Sequence, residues 1–159
     1  MKLYHGTNCL FEKIDLSKSR NNRDFGRGFY TTTIKGQAIS WAEVIFERYG
    51  GTGKLVYEFD FEKNDDLNIK VFENANKEWL EFISLNRNAG GIRHDFDIVV
   101  GPVANDKTNR TIALYIAGIY TAEIALDLLK YNELNDQVSF HTNKALSAIT
   151  LAGREKYAD

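Results

Sequence analysis

The apolar and polar positions divide the chain into short strands and helices that follow one another without regular alternation. Short apolar, β-branched or alternating runs predict strands at 2–5, 29–33, 54–61, 96–100 and 137–142. Helical spacing predicts helices at 34–49, 78–86, 112–118 and 122–129, and a short terminal helix at 143–151. This irregular order predicts an α+β fold and not a doubly wound sheet. We expect one domain over residues 1–159.

Two segments refine this pattern. The helix predicted at 34–49 places Ala38, Trp41, Ala42, Ile45 and Phe46 on one side, which predicts a packed face. The segment 17–24 is polar and partly basic, without apolar periodicity. We therefore expect 17–24 to be a loop that is mobile or that a ligand orders.

Composition excludes several classes of protein. The single cysteine, Cys9, leaves no internal disulfide framework, and the three isolated histidines predict no metal site. The formal net charge of −2 gives no global attraction to nucleic acid or to an acidic membrane. There is neither an apolar run near the roughly 20 residues that span a bilayer nor an apolar signal core at the start. We expect a cytoplasmic protein without a membrane partner.

The first candidate motif is His5-Gly6-Thr7, at the end of the first predicted strand. A neutral imidazole can donate to or accept from a ribose hydroxyl. A glycine lets a carboxamide approach the backbone closely enough to use its N–H and C=O. The alternative is that His5 ends a strand and makes only a local hydrogen bond.

The second candidate motif is Gly26-Arg27-Gly28-Phe29-Tyr30. Its spacing fits neither a P-loop nor a dinucleotide fingerprint. The flat face of Tyr30 suits stacking on a nicotinamide ring, and Trp41, eleven residues later, is a candidate for the second face. Alternatively, Trp41 only packs its helix onto the sheet.

Together these motifs resemble the ADP-ribosyltransferase superfamily, in the branch named for a His-Tyr-Glu triad that includes diphtheria-type toxins and poly-ADP-ribose polymerases. His5-Gly6-Thr7 resembles the family's His-Gly-Ser/Thr strand, and residues 26–30 resemble its Gly-x-Gly-aromatic-Tyr element. Over nearly the whole length the chain is most similar to a bacterial group of stand-alone domains. That likeness rests on Tyr-His-Gly-Thr near the start, Asp-Ile-Val-Val-Gly-Pro-Val-Ala at 97–104 and Gln-Val-Ser-Phe-His-Thr at 137–142.

The resemblance implies an ADP-ribosyltransferase-like fold, with a split, mostly antiparallel β core and flanking helices. It implies NAD+ as co-substrate and no metal. His5 would hold a ribose hydroxyl, Gly6 the nicotinamide amide through its backbone, and Tyr30 one face of the ring. The implied catalytic residues are His5, Tyr30 and Gln137. The implied NAD+-binding residues are His5, Gly6, Thr7, Arg20, Gly28, Phe29, Tyr30 and Trp41.

Position 137 departs from the family pattern, because Gln137 stands where the triad has a glutamate. Glutamine keeps a hydrogen bond but loses a charge that would stabilise an oxocarbenium ion, a loss on the order of tenfold in rate. This favours single transfer over polymer synthesis. The alternative is that Asp136 or Glu133 is the operative acid.

Basic and polar residues outside the triad have candidate roles as well. Arg20, Arg23 and Arg27 suit the diphosphate, with a solvated surface role as the alternative for each. Asn86 and Arg87 are candidates for the acceptor side, with a helix-capping role as the alternative.

The expected function is therefore mono-ADP-ribosylation of a macromolecular acceptor, either protein or nucleic acid. The family's biology suggests a bacterial toxin or phage-defence effector held in check by an antitoxin protein. The alternatives are an NAD+-binding module without transfer, an NAD+ glycohydrolase that uses water, and removal of an RNA 2′-phosphate.

Overall fold

One three-stranded antiparallel sheet, sheet one, contains the N-terminal strand. The computed structural model describes residues 1–103, 106–130 and 135–158, without the side chains of 106 and 107. Sheet one has the order β1 (Lys2–Thr7), β3 (Lys54–Phe61) and β7 (Ile149–Tyr157). On β1, Leu3 lies opposite Phe59 and His5 opposite Tyr57. Leu3, Tyr57 and Phe59 are buried in the interior.

The second sheet, sheet two, has four strands in the order β2 (Phe29–Thr31), β6 (Asn135–Phe140), β5 (Ile98–Val103) and β4 (Ile69–Val71). Its pairings are antiparallel except for β4 with β5. The two sheets meet where Tyr4 and Thr32 exchange backbone hydrogen bonds of 2.8 and 2.9 Å. Val138 and Phe140 pack with sheet one in a shared apolar core.

Helix α1 (Lys35–Tyr49) packs on sheet one through Ala38 and Ala42. It ends at Gly50, whose φ of 67° suits a residue without a Cβ. Gly6 permits this close packing, since a Cβ there would lie 2.0 Å from the Ala38 carbonyl oxygen. The small residues of α1 therefore bring the helix directly onto β1.

The other helices are α2 (Lys77–Ala89), α3 (Asp106–Ile116), α4 (Ala122–Leu129) and the short α5 (Asn143–Leu146). Residues of α2, α3 and α4 form a second apolar core with Phe25 and with Val99 of sheet two. Helix α2 begins at Asn76, whose side chain accepts from the Trp79 N–H. Phe25 anchors the loop before β2 in this layer.

The α+β class and the mostly antiparallel sheets are confirmed. The terminal helix predicted at 143–151 is wrong, because α5 ends at Leu146 and β7 follows. The partly buried residues of β7 are Ile149, Gly153 and Tyr157, four apart, and this edge strand shows no period of two. Among the described residues no helix is long and apolar enough to cross a bilayer.

Candidate functional site

The imidazole of His5 lies where β1 and β2 separate. Its Nδ1–H donates to the Tyr30 carbonyl oxygen at 2.6 Å, and its ring packs 4.3 Å from that of Phe29. Burial lowers the pKa of His5 to about 4, so the ring is neutral at pH 7. With the proton on Nδ1, Nε2 is an acceptor, and no residue of the described ranges bonds to it. A hydroxyl group would suit this nitrogen.

The backbone N–H and C=O of Gly6 point away from β3. Both backbone groups of Tyr4 bond to Thr32, and directions alternate along a strand, so those of His5 point to β3. The N–H and C=O of Gly6 therefore point toward Tyr30. The pairing of β1 with the β2 side is confined to Tyr4 and Thr32 among the described residues. One donor and one acceptor at such an edge match a carboxamide.

Tyr30 lies on the face of sheet two that packs against the helices. Its hydroxyl donates to the Gly26 carbonyl oxygen at 2.5 Å and accepts from the Phe25 N–H at 3.0 Å. Burial raises the pKa of Tyr30, which keeps the phenol protonated. The guanidinium of Arg23 lies over the ring, 4.3 Å from its centroid. The Tyr30 hydroxyl is thus hydrogen-bonded to the backbone of residues 25 and 26, while one face of the ring contacts the Arg23 guanidinium.

Trp41 is 46% exposed, although Ala38 and Ala42 on the same helix are buried. The prediction that it shares their packed face is therefore wrong. The Arg23 guanidinium lies 6.0 Å from the centroid of the Trp41 ring. One planar cation thus contacts both aromatic residues that the sequence suggested as stacking partners.

Gln137 lies on β6, two residues from Ser139, which is opposite Tyr30. It is 5% exposed, and its Nε2 lies 3.5 Å from Oδ2 of Asp24. Oδ1 of Asp24 accepts from Nε of Arg87 at 2.6 Å and lies 2.6 Å from a terminal nitrogen of the same guanidinium. That nitrogen donates to Oδ1 of Asn109 at 3.0 Å. Arg87 therefore holds a buried carboxylate beside Gln137.

The two alternative acids differ from Gln137. Asp136 accepts hydrogen bonds from the hydroxyls of Thr32 and Thr33 and from the Thr33 N–H, which ties β6 to the start of α1. Glu133 lies outside the described residues. Gln137, in contrast, lies on the Tyr30 face of β6 and contacts the charged side chain of Asp24.

The other predicted residues are spread around this centre. Arg20 is exposed and lies 5.0 Å from the centroid of the Tyr49 ring, at the far end of α1. The Thr7 hydroxyl accepts from the Cys9 N–H, and Phe29 packs in the core beside His5. The backbone of Gly28 bonds to the Ser19 hydroxyl. Tyr30, Trp41 and Gln137 contact residues 23–26, and His5 bonds to the Tyr30 backbone. Gly6 packs against α1, and Arg20 lies at the other end of that helix.

This chain was compared with known proteins. A family described as a protein of unknown function, DUF3990, matches residues 1–151. The chain belongs to the DUF3990 family. No curated protein and no solved structure matches it.

In this DUF3990 chain, sequence reasoning missed the side chains that hold residues 23–28, here called the glycine loop. His141 Nδ1–H donates to the Arg27 carbonyl oxygen at 2.9 Å, and Ser139 donates to His141 Nε2 at 2.7 Å. His94 Nε2–H donates to the Phe25 carbonyl oxygen at 2.7 Å. At the end of the segment predicted to be mobile or ligand-ordered, Arg87 holds the Asp24 carboxylate, and the histidine bonds hold the loop that follows. The polar alternation of Gln137, Ser139 and His141 was the available signal.

Proposed function

We propose that this DUF3990 protein is a mono-ADP-ribosyltransferase with an ADP-ribosyltransferase-like fold and with NAD+ as its co-substrate. The observation that carries the proposal is that, among the described residues, β1 pairs with the β2 side only through Tyr4 and Thr32. Next to this bridge lie His5, whose Nδ1–H bonds to the Tyr30 carbonyl oxygen and whose Nε2 is an acceptor, the backbone of Gly6, and the ring of Tyr30, over which Arg23 lies. In this proposal they bind a ribose hydroxyl, a carboxamide and a pyridinium ring respectively.

The position of Arg23 supports a cationic ring as the ligand. Its guanidinium is planar and positively charged, and it contacts both Tyr30 and Trp41. The nicotinamide ring of NAD+ is also planar and positively charged, so the aromatic pair would attract it for the same electrostatic reason. Arg23 then leaves the rings on binding, and its guanidinium is free to pair with the diphosphate.

A nearby groove offers room for the remainder of the dinucleotide. Phe11 packs its ring edge against His5, with centroids 5.9 Å apart, and also lines a groove of about 500 Å³. Tyr57, Phe59 and Leu146 line the same groove. Its volume lies within the usual range of sites for small molecules and cofactors. We place the adenosine end of NAD+ there.

The reaction that we propose needs no redox step. The bond between the anomeric carbon and the nicotinamide nitrogen breaks, and its electron pair leaves with neutral nicotinamide. The oxocarbenium ion that forms is attacked by a nucleophile of a macromolecular acceptor, which then loses its proton. Neutral His5 positions a ribose hydroxyl, and Tyr30 stacks on the departing ring. We further propose that a partner protein restrains this activity, as for a toxin and its antitoxin.

The test is incubation of the protein with labelled NAD+ and a cell lysate. We expect free nicotinamide together with a labelled macromolecule, and treatment with protease or with nuclease then shows which class of acceptor carries the label. Tyr30→Ala is expected to abolish labelling and to weaken NAD+ binding. The control is Ile119→Ala, at a residue that is 66% exposed in the turn after α3.

Two other results would each exclude transfer, and a third would exclude the pocket assigned to it. Binding of NAD+ without nicotinamide release would indicate an NAD+-binding module. Nicotinamide release without a labelled macromolecule would indicate a glycohydrolase. Full labelling by the Tyr30→Ala variant would mean that the pocket lies elsewhere.

A further inference from the structure

Asp24 is a charged residue of the site for which the resemblance gives no role. It is 8% exposed and directly follows Arg23, which contacts the Tyr30 and Trp41 rings. Arg87 occupies Oδ1, and Oδ2 faces the amide nitrogen of Gln137 at 3.5 Å. An ionised carboxylate only accepts hydrogen bonds, so it orients the Gln137 amide with its nitrogen toward Asp24. Oε1 of Gln137 is then the atom that remains for a ligand.

The presence of Asp24 explains why a glutamine suits position 137. A glutamate there would place two carboxylates within about 3.5 Å. Two like charges at that separation repel each other. Glutamine avoids this repulsion and donates to the carboxylate. A negative charge is therefore present beside position 137, but it is carried by Asp24.

We propose that Asp24 supplies, through Gln137, the negative charge that a glutamate at position 137 would otherwise supply. This inference rests on the proposed ADP-ribosyl transfer. The Asp24 carboxylate polarises the Gln137 amide, and its Oε1 accepts the 2′-hydroxyl of the nicotinamide ribose more strongly as positive charge develops on the sugar. Asp24 is a positioning and electrostatic residue, whereas Gln137 contacts the substrate.

The experiment compares nicotinamide release by the wild type and three variants, with kcat and KM determined separately. Asp24→Asn keeps the shape and removes the charge, and we expect kcat to fall by about ten- to a hundredfold with little change in KM. Gln137→Leu leaves the Asp24–Arg87 pair intact, and we expect a similar loss. The double variant Asp24→Asn/Gln137→Glu moves the negative charge from position 24 to position 137. We expect its kcat to lie within a few-fold of the wild type.

A matched control separates this role from structural support. Asp97 is also a buried carboxylate beside β5, but it bonds to Thr142 and to the Asn68 N–H. Asp97→Asn is expected to lower the unfolding temperature and to leave kcat unchanged.

Each outcome of the comparison is decisive. Wild-type kcat in Asp24→Asn or in Gln137→Leu would overturn the inference, as would a double variant no faster than Asp24→Asn. If Asp24→Asn does not fold, Gln137→Leu and the double variant decide. If the wild-type protein itself releases no nicotinamide, the proposed function fails, and that result is distinct from a failure of the variants alone.

Discussion

The two sheets differ in where their polar side chains lie. Sheet one carries its ion pairs at the surface, where Lys2 contacts Glu58 and Asp60, and Lys35 of α1 contacts Glu155. Sheet two instead buries polar groups, including Gln137, Ser139 and His141, between itself and the helices. Burying a polar group costs free energy unless it is hydrogen-bonded. The buried polar groups of sheet two therefore need hydrogen-bond partners inside the protein.

The buried polar groups on and beside sheet two are concentrated around one segment of the backbone, the glycine loop. Among the described residues, every buried side-chain nitrogen and oxygen has a hydrogen-bond partner. On and beside sheet two, His94, Tyr30 and His141 donate to the glycine loop, namely to the carbonyl oxygens of Phe25, Gly26 and Arg27. These polar groups therefore fix one backbone segment, which contains Arg23 and precedes Tyr30. Natural proteins depart from an apolar interior mainly at functional sites.

The largest expected effect comes from breaking the buried ion pair. Arg87→Met leaves the Asp24 carboxylate uncompensated in the interior, where its side chain is 11% exposed. Loss of one partner of a buried pair typically costs about 3–5 kcal/mol, so we expect a fall of this size in the free energy of unfolding. Urea unfolding of the variant and the wild type measures it.

The control for Arg87 is Lys35→Met on the other side of the comparison. The pair of Lys35 with Glu155 is exposed, and such pairs contribute little because water and salt screen them. We expect its unfolding midpoint to match the wild type. Equal losses in both variants would contradict the contrast between the sheets.

The next effect is the response of sheet two to acid. Burial lowers the pKa of His141 to about 4, whereas an unfolded histidine titrates near 6.5. The unfolded state thus binds more protons between these values. The contribution of neutral His141 to the free energy of unfolding is complete above pH 6.5. It is lost as the pH falls toward 4, by up to about 1.4 kcal/mol per pH unit.

The measurement is the free energy of unfolding at pH 7, 6 and 5 for the wild type and for His141→Gln. We expect the variant to be less stable at pH 7 and to depend less steeply on pH, because one buried titrating group is gone. An unchanged slope would show that His141 does not contribute to the acid sensitivity.

A smaller effect is expected from adding a methyl group beside His141. A Cβ at Gly28 would lie 2.7 Å from both His141 Nδ1 and the Phe140 carbonyl oxygen. Gly28→Ala therefore forces the loop away from β6, and overpacking of this kind costs about 1–3 kcal/mol. Gly153→Ala in sheet one is the control, since no atom lies within 4 Å of its Cβ position. A Gly28→Ala protein as stable as this control would contradict the close packing of Gly28 against β6 and His141.

Local pattern was enough to predict most elements, and long-range geometry explains what it missed. Helix α4 follows from apolar spacing alone, and its predicted bounds match the structure. Strand β7 was missed because its exposure depends on its place at the edge of sheet one. The sequence suggested the candidates His5, Tyr30 and Gln137 through short motifs. It gave no sign of Asp24, because the contacts of Asp24 are with Arg87, 63 residues away, and with Gln137, 113 residues away.

The smallest expected change in stability belongs to Trp41. Trp41 is 46% exposed, and the Arg23 guanidinium lies 6.0 Å from the centroid of its ring. Trp41→Ala should therefore change the free energy of unfolding by less than about 1 kcal/mol, as surface substitutions usually do. If the ring stacks on nicotinamide, the same variant should bind NAD+ about fivefold more weakly, since such contacts contribute about 1 kcal/mol.

Calorimetric titration with NAD+ and thermal unfolding of the same samples measure both quantities. Trp41→Phe retains an aromatic face and should recover most of the affinity. Loss of affinity without loss of stability would make Trp41 the converse of Arg87, a residue that the fold exposes for a ligand. Unchanged affinity in Trp41→Ala would leave Tyr30 as the only ring of this pair available for stacking.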